Sequence, residues 1–106
     1  MGDYRLSRLA VADLQSISQY TLETWGLAQA ELYLRELEEI IVQLAANPRL
    51  GRTCDDIRKG YRRMEHGRHV IFYRVRRSLE SRQTNLVEII RILHARMLPR
   101  KHFGEE

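Results

Sequence analysis

Ala30-Glu31-Leu32-Tyr33-Leu34-Arg35-Glu36-Leu37-Glu38-Glu39-Ile40-Ile41-Val42-Gln43-Leu44 is the stretch on which the fold turns. Ala30, Tyr33, Leu34, Leu37, Ile40, Ile41 and Leu44 return every three or four residues, so a helix lays them along one continuous apolar stripe. Glu31, Arg35, Glu38 and Glu39 fall off that stripe, toward water. The stripe lasts too few turns for a coiled coil, and it needs an apolar surface of its own chain to cover it. Asn47-Pro48 ends the helix, because proline disfavours helical geometry in the residue before it.

Toward the N-terminus, Ala10, Leu14, Ile17 and Thr21 repeat at helical spacing, with Tyr20 and Trp25 beside them. Gly26 stops that helix, since glycine tolerates the left-handed conformation a helix end requires. Two striped helices joined at Trp25-Gly26-Leu27 predict an antiparallel hairpin. Ahead of it, Tyr4-Arg5-Leu6-Ser7 predicts a short strand. Toward the C-terminus, Pro48, Gly51 and Gly60 with Asp55-Asp56 predict a loop over 48–60. From Gly60 onward Val, Ile, Phe and Tyr dominate, predicting strands over 61–65, 69–75 and 86–93. His66-Gly67 marks a tight turn, and 76–85 a polar hairpin loop. The two longer strands are apolar on both faces, as expected if one face packs on the helices and the other meets a partner. The order is β-α-α-β-β-β, an α+β fold in a single domain over residues 1–106. The segment from about 97, with Pro99 and mixed charge, is expected to be a mobile tail.

Composition narrows the function. Hydrophobic residues make up 43% and charged residues 30%, values of a soluble globular chain, and no apolar run is long enough to span a bilayer. Met1-Gly2-Asp3-Tyr4-Arg5 runs straight into patterned sequence, without the apolar stretch of a signal peptide. The lone Cys54 has no partner for an internal disulfide, which suits a reducing cytoplasm. Asp55 and Asp56 beside it raise a thiol pKa, so a catalytic thiolate is not expected. The formal net charge of +4 favours an anionic partner, nucleic acid or an acidic protein segment. His66-x-x-His69 straddles a turn without nearby ligands at metal spacing, so no metal and no cofactor is expected.

The motifs together resemble one family. Ala10-x-x-Asp13-Leu14-x-x-Ile17, Tyr20, Trp25-Gly26 and Ala30-x-x-Tyr33-x-x-x-Leu37 resemble the helical hairpin of ParE toxins. Asn47-Pro48-Arg49-Leu50-Gly51 resembles the segment after it. Gly60-Tyr61-Arg62, His69-Val70-Ile71-Phe72-Tyr73-Arg74 and Arg91-Ile92-Leu93-His94-Ala95-Arg96-Met97 resemble the family strands. The resemblance runs from about Tyr4 to Met97, and its order and spacing make it specific. It implies the RelE/ParE superfamily fold, a helical hairpin packed on a small twisted antiparallel sheet. It also implies a cytoplasmic bacterial toxin paired with a ParD-like antitoxin. That antitoxin's C-terminal segment is partly disordered, acidic and apolar, and its DNA-binding part carries the complex to operator DNA. On this reading Tyr61, Arg62, Phe72, Arg74, Ile90 and Ile92 on the strands are the candidate antitoxin contacts.

Two activities share that superfamily, and fold alone does not choose between them. The ParE branch inhibits DNA gyrase; the RelE branch cuts messenger RNA on the ribosome. RNA cleavage needs a base, an acid and a phosphate-binding cation, for which His94, Arg91 and Arg96 are the candidates. Against it, no tyrosine lies beyond Tyr73, and the lysines, Lys59 and Lys101, fall outside the strands. The sequence therefore favours a gyrase-binding inhibitor with no catalytic residues. In that case Arg91 pairs with Glu88 or Glu65, and His94 is a hydrogen-bonded residue closing the sheet.

Overall fold

Ser7 sets where the first helix begins. Its hydroxyl oxygen accepts the Ala10 N–H at 3.0 Å and donates to Ile90 O at 2.7 Å. One side chain thus caps helix α1 (Arg8–Trp25) and ties its start to the last strand, where an uncapped end leaves donors unsatisfied. The computed structural model describes residues 3–77 and 85–97. Strand β1 (Asp3–Leu6) precedes Ser7, and helix α2 (Leu27–Ala46) follows α1 directly. Gly26 between the helices has φ +92°, and its N–H bonds Leu22 O while its carbonyl receives the Ala30 N–H, each at 3.0 Å. It closes one helix and opens the next, as the sequence predicts.

Four strands follow: β2 (Arg52–Thr53), β3 (Tyr61–His66), β4 (His69–Arg77) and β5 (Asn85–His94). The last three match the expected strands to within two residues at each end. Strand β2 lies in the segment expected as loop; its two residues pair with Arg63 and Arg62 but are too few to show a period. Of the polar connection expected over 76–85, Arg76 and Arg77 extend β4 and Asn85 begins β5, while 78–84 lie outside the described residues, as does all of the tail beyond Met97.

The strands form one sheet in the order β1-β5-β4-β3-β2. The expected α+β architecture is present, with one refinement: β1 runs parallel to β5, from Asp3 opposite Leu86 to Leu6 opposite Ile89, so the sheet is mixed. Side-chain alternation carries no information on strand direction, and parallel neighbours require a long crossover, here the helical hairpin and the strands after it. A bulge between Phe72 and Tyr73 leaves Ile90 without a register partner on β4.

The bulk of the core lies between helices and sheet, where Ile17, Leu37, Ile41 and Leu44 meet Ile71, Tyr73, Val87, Ile89 and Ile92. On the other face Tyr61, Val70, Phe72 and Leu93 pack with Cys54 and Ile57. The chain's own 54–60 segment therefore covers part of the face expected to await a partner. Burial pushes the Cys54 thiol up, with Asp56 and Asp55 adding to it and Arg63 opposing.

Tyr73 anchors the turn after α2. It is fully buried, donates to Pro48 O at 2.7 Å and accepts the Gly51 N–H at 2.9 Å. Gly51 fits because it has no side chain: a Cβ there would stand 2.5 Å from the Tyr73 hydroxyl and 2.6 Å from Arg63 O.

Candidate functional site

Beyond Leu6, strand β1 no longer covers the edge of β5, and helix α1 takes over that role. Ser7 N–H donates to Ile89 O at 2.9 Å, and one turn into the helix Asp13 Oδ2 accepts the Ile92 N–H, also at 2.9 Å. The same carboxylate takes a two-pronged grip from Arg91, with Nε to Oδ2 and Nη2 to Oδ1 both at 2.8 Å. Both side chains are only 13% exposed. The Asp13 hydrogen bond raises the Arg91 pKa further.

This corrects the expected partners of Arg91. Glu88 is held instead by Arg74 at 2.7 Å and Arg5 at 3.1 Å, and Glu65 by Arg52 at 2.7 Å and Arg63 at 3.1 Å. The reason is α1 crossing the β5 edge, which brings together residues far apart in sequence. Asp13 did leave a trace: it lies three residues after Ala10 and four before Ile17, a charge on the border of an apolar stripe.

His94 ends β5 opposite His69, and the two rings meet edge to face at 5.5 Å. The His94 Nδ1 accepts the Arg96 N–H at 3.1 Å, while the Arg96 side chain is exposed. Arg91 points to Asp13. The three residues that would compose a ribonuclease site are therefore split between an ion pair, a turn and the solvent.

A second constellation surrounds the β3–β4 turn, where the sequence shows His66 and His69 straddling the turn but not the helix residues that hold them. The Tyr33 hydroxyl, from the α2 stripe, lies 2.6 Å from His69 Nδ1 and 3.2 Å from His66 O. Tyr33 has one proton to donate, so both contacts are satisfied together when His69 Nδ1–H donates to Tyr33 and Tyr33 donates to His66 O. Burial pulls the His69 pKa down to about 4, and the neighbouring His94 and His66 act in the same direction. The Tyr33 hydroxyl is pushed up, again chiefly by burial. His66 Nε2 lies 3.0 Å from Glu36 Oε1, a second tie from turn to helix. Gly67 makes the turn with φ +56° and passes so close to Tyr33 that a Cβ would stand 2.8 Å from its hydroxyl.

These residues close one end of a groove of about 810 Å³. Asp13, Ile17, Tyr20, Thr21 and Trp25 from α1 form one wall, with Gln29 and Tyr33 from α2 beside them. Arg68, His69, Ile92, His94 and Met97 complete it from the sheet end. Tyr20 and Trp25 are 58% and 59% exposed.

The six strand residues expected to contact an antitoxin do not form one surface. Tyr61 and Phe72 are buried on the far face beside the half-buried Ile90. The Arg62 guanidinium donates to Gly51 O at 2.7 Å, and Arg74 reaches Glu88. Ile92 lies on the helix side, 2% exposed, at the floor of the groove.

A helical hairpin over a sheet whose first and last strands run parallel is an architecture shared with a solved structure. A chain described as "Chromosomal ParDE TA system from P. aeruginosa" superposes with a TM-score of 0.70 over 89% of this chain and 96% of that one, at 21% identity. Residues 4–99 match the family described as "ParE toxin of type II toxin-antitoxin system, parDE". The protein called Toxin ParE1 of Caulobacter vibrioides is 45% identical over 104 residues, 98% of this chain and all of that one. Toxin ParE1 of Mycobacterium tuberculosis is 47% identical over 94 residues, 89% of this chain and 90% of the relative. The chain belongs to the ParE toxin family of type II toxin–antitoxin systems.

Proposed function

We propose that this toxin arrests growth by binding DNA gyrase and holding it on cleaved DNA, without catalysing a reaction of its own. The supporting observation is the Asp13–Arg91 pair: the strand that carries the candidate ribonuclease residues commits its arginine to a structural carboxylate. A bound inhibitor acts by shifting which state of its target is populated, which requires a surface rather than an acid–base centre.

The partner that silences it is a ParD-like antitoxin with an acidic, partly disordered C-terminal segment, complementary to a chain of net charge +4. Operator DNA is reached through the antitoxin. The site of action is the cytoplasm, and among the described residues no helix is long and apolar enough to cross a membrane. The test is a supercoiling assay with purified gyrase and relaxed plasmid, run beside a translating extract. Loss of supercoiling with messenger RNA intact is the expected result. Cleaved messenger RNA with normal supercoiling overturns the reading in favour of a ribosome-dependent nuclease. Induction in bacteria without any growth arrest would show a toxin fold that only binds its antitoxin.

A further inference from the structure

The outer face of the sheet, turned away from the helices, carries arginines from edge to edge. Arg5 on β1 and Arg74 on β4 flank Glu88 on β5, held to it at 3.1 and 2.7 Å, and Arg76 stands 3.9 Å from the same carboxylate. Further across, Arg63 on β3 and Arg52 on β2 share Glu65, at 3.1 and 2.7 Å. Paired residues share a side of a sheet and successive residues alternate, so the register puts all five on one face. Glu88 is 12% exposed, against 54%, 40% and 52% for Arg5, Arg74 and Arg76. The recessed carboxylate thus fixes the guanidiniums while they face the solvent. Each guanidinium has five N–H donors, and one carboxylate cannot satisfy three of them. Asp3, at the β1 edge, adds one acid to the face, and on the covering 54–60 segment Asp55 and Asp56 are balanced by Arg58 and Lys59.

The chemistry of this face selects its occupant. Its aromatic residues, Tyr61 and Phe72, are buried. Tyr4 and Val75, the exposed apolar residues of the strands, both pair with Val87 and so belong to the helix side. An acidic peptide would have no apolar anchor to bury, and protein interfaces depend on such anchors. A single nucleic-acid strand would have no open ring to stack on. A second copy of this chain brings the same excess of cations. A duplex shows phosphates along its outside, and exposed arginines are what phosphates take. Five strands at ~4.8 Å spacing put about 19 Å between Arg5 and Arg52, the length of about six base pairs.

We propose that this arginine face lies along the phosphate backbone of duplex DNA, the DNA on which gyrase is held. The proposal rests on the gyrase reading above for the source of the DNA, and it gives the toxin a direct, sequence-independent grip on that DNA.

The toxin alone is titrated into a fluorescently labelled duplex of about 20 base pairs at several salt concentrations, and anisotropy is read. The expected result is binding that weakens with salt, with a log–log slope of about −3 or steeper. The double substitution Arg52→Gln, Arg76→Gln is expected to weaken binding about tenfold or more at low salt and to reduce the slope by about two. Arg35→Gln, the same kind of charge change on the helix side, is expected to alter binding less than about twofold. All three side chains are exposed, and circular dichroism checks that the variants fold. The double variant is also expected to leave less linear plasmid when supercoiled plasmid is incubated with gyrase. No duplex binding by folded toxin at low salt, a slope unmoved by the double variant, or an equal loss from Arg35→Gln overturns the proposal. So does tighter binding of a single strand of the same length or of polyglutamate. Plasmid linearised by gyrase and toxin without any duplex binding by the toxin overturns the proposal and leaves the gyrase reading standing. Duplex binding by a toxin that never traps gyrase removes the gyrase reading and leaves the DNA-binding face standing.

Discussion

Replacing Asp13 by Ala removes three hydrogen bonds at once: two from the Arg91 guanidinium at 2.8 Å and one from the Ile92 N–H at 2.9 Å. It also leaves a guanidinium that is only 13% exposed without its counter-charge. Breaking a fully buried pair costs about 3–5 kcal/mol, and hydrogen bonds to charged groups contribute about 1.5–3 kcal/mol each. Arg91 keeps some access to water, so the low end applies, and Asp13→Ala is expected to destabilise by about 3 kcal/mol. In a domain of this size that lowers the Tm by on the order of 12 °C or more. Asp13→Asn keeps an acceptor for the Ile92 N–H but loses the charge, and is expected to cost about half as much. The assay is urea unfolding followed by circular dichroism, for both single variants, Arg91→Ala and the double Asp13→Ala, Arg91→Ala. Because the two side chains act as a unit, the double variant should be less destabilised than the sum of the singles by about 2 kcal/mol. A cost for Asp13→Ala below about 1 kcal/mol, or strict additivity, would refute the assignment of this pair as the clamp between helix and sheet.

Tyr73→Phe should cost about 1–3 kcal/mol, measured by chemical unfolding, because Pro48 O and the Gly51 N–H lose their buried partner. Gly51→Ala should lower the Tm more than an ordinary surface change, since the new methyl meets the Arg63 carbonyl, part of the backbone, at 2.6 Å. His69 sets a pH dependence. Its ring is held near pKa 4 in the fold against 6.5 in the free residue, so the unfolded chain binds the proton more tightly. Its contribution is therefore intact above pH 6.5, declines as the pH falls toward about 4, and is constant below that. Allowing for solvent around a half-buried ring, the loss is about 1 kcal/mol, and His69→Gln should flatten that part of the stability profile.

The helices were legible because their apolar residues repeat at 3.6, and Gly26 and Asn47-Pro48 punctuate them as glycine and proline do. Strands β3 to β5 were legible from Val, Ile, Phe and Tyr. Pairing was not: nothing in Asp3 to Leu6 names β5 as its neighbour or sets the direction. The same limit hid the site. Asp13 and Arg91, and Tyr33 and His69, meet only because the helical hairpin crosses the end of the sheet, and Arg68 and Ala95 because β4 pairs with β5. Tyr33 read correctly as a member of an apolar stripe, and the structure adds that it also lines the groove; Ile92, expected on a partner-facing strand, lies 2% exposed on the helix side at the groove's floor. Trp25 was read as a residue beside a helix face, whereas its position at the hairpin tip leaves it 59% exposed.

Trapping of gyrase on cleaved DNA tests the central claim most directly. Supercoiled plasmid, purified gyrase, ATP and this protein are incubated, denatured and protease-treated, and linear DNA is quantified. The account predicts linear plasmid that accumulates with toxin concentration and disappears when ParD-like antitoxin is added first. Plasmid that stays supercoiled at every concentration of folded toxin would contradict it.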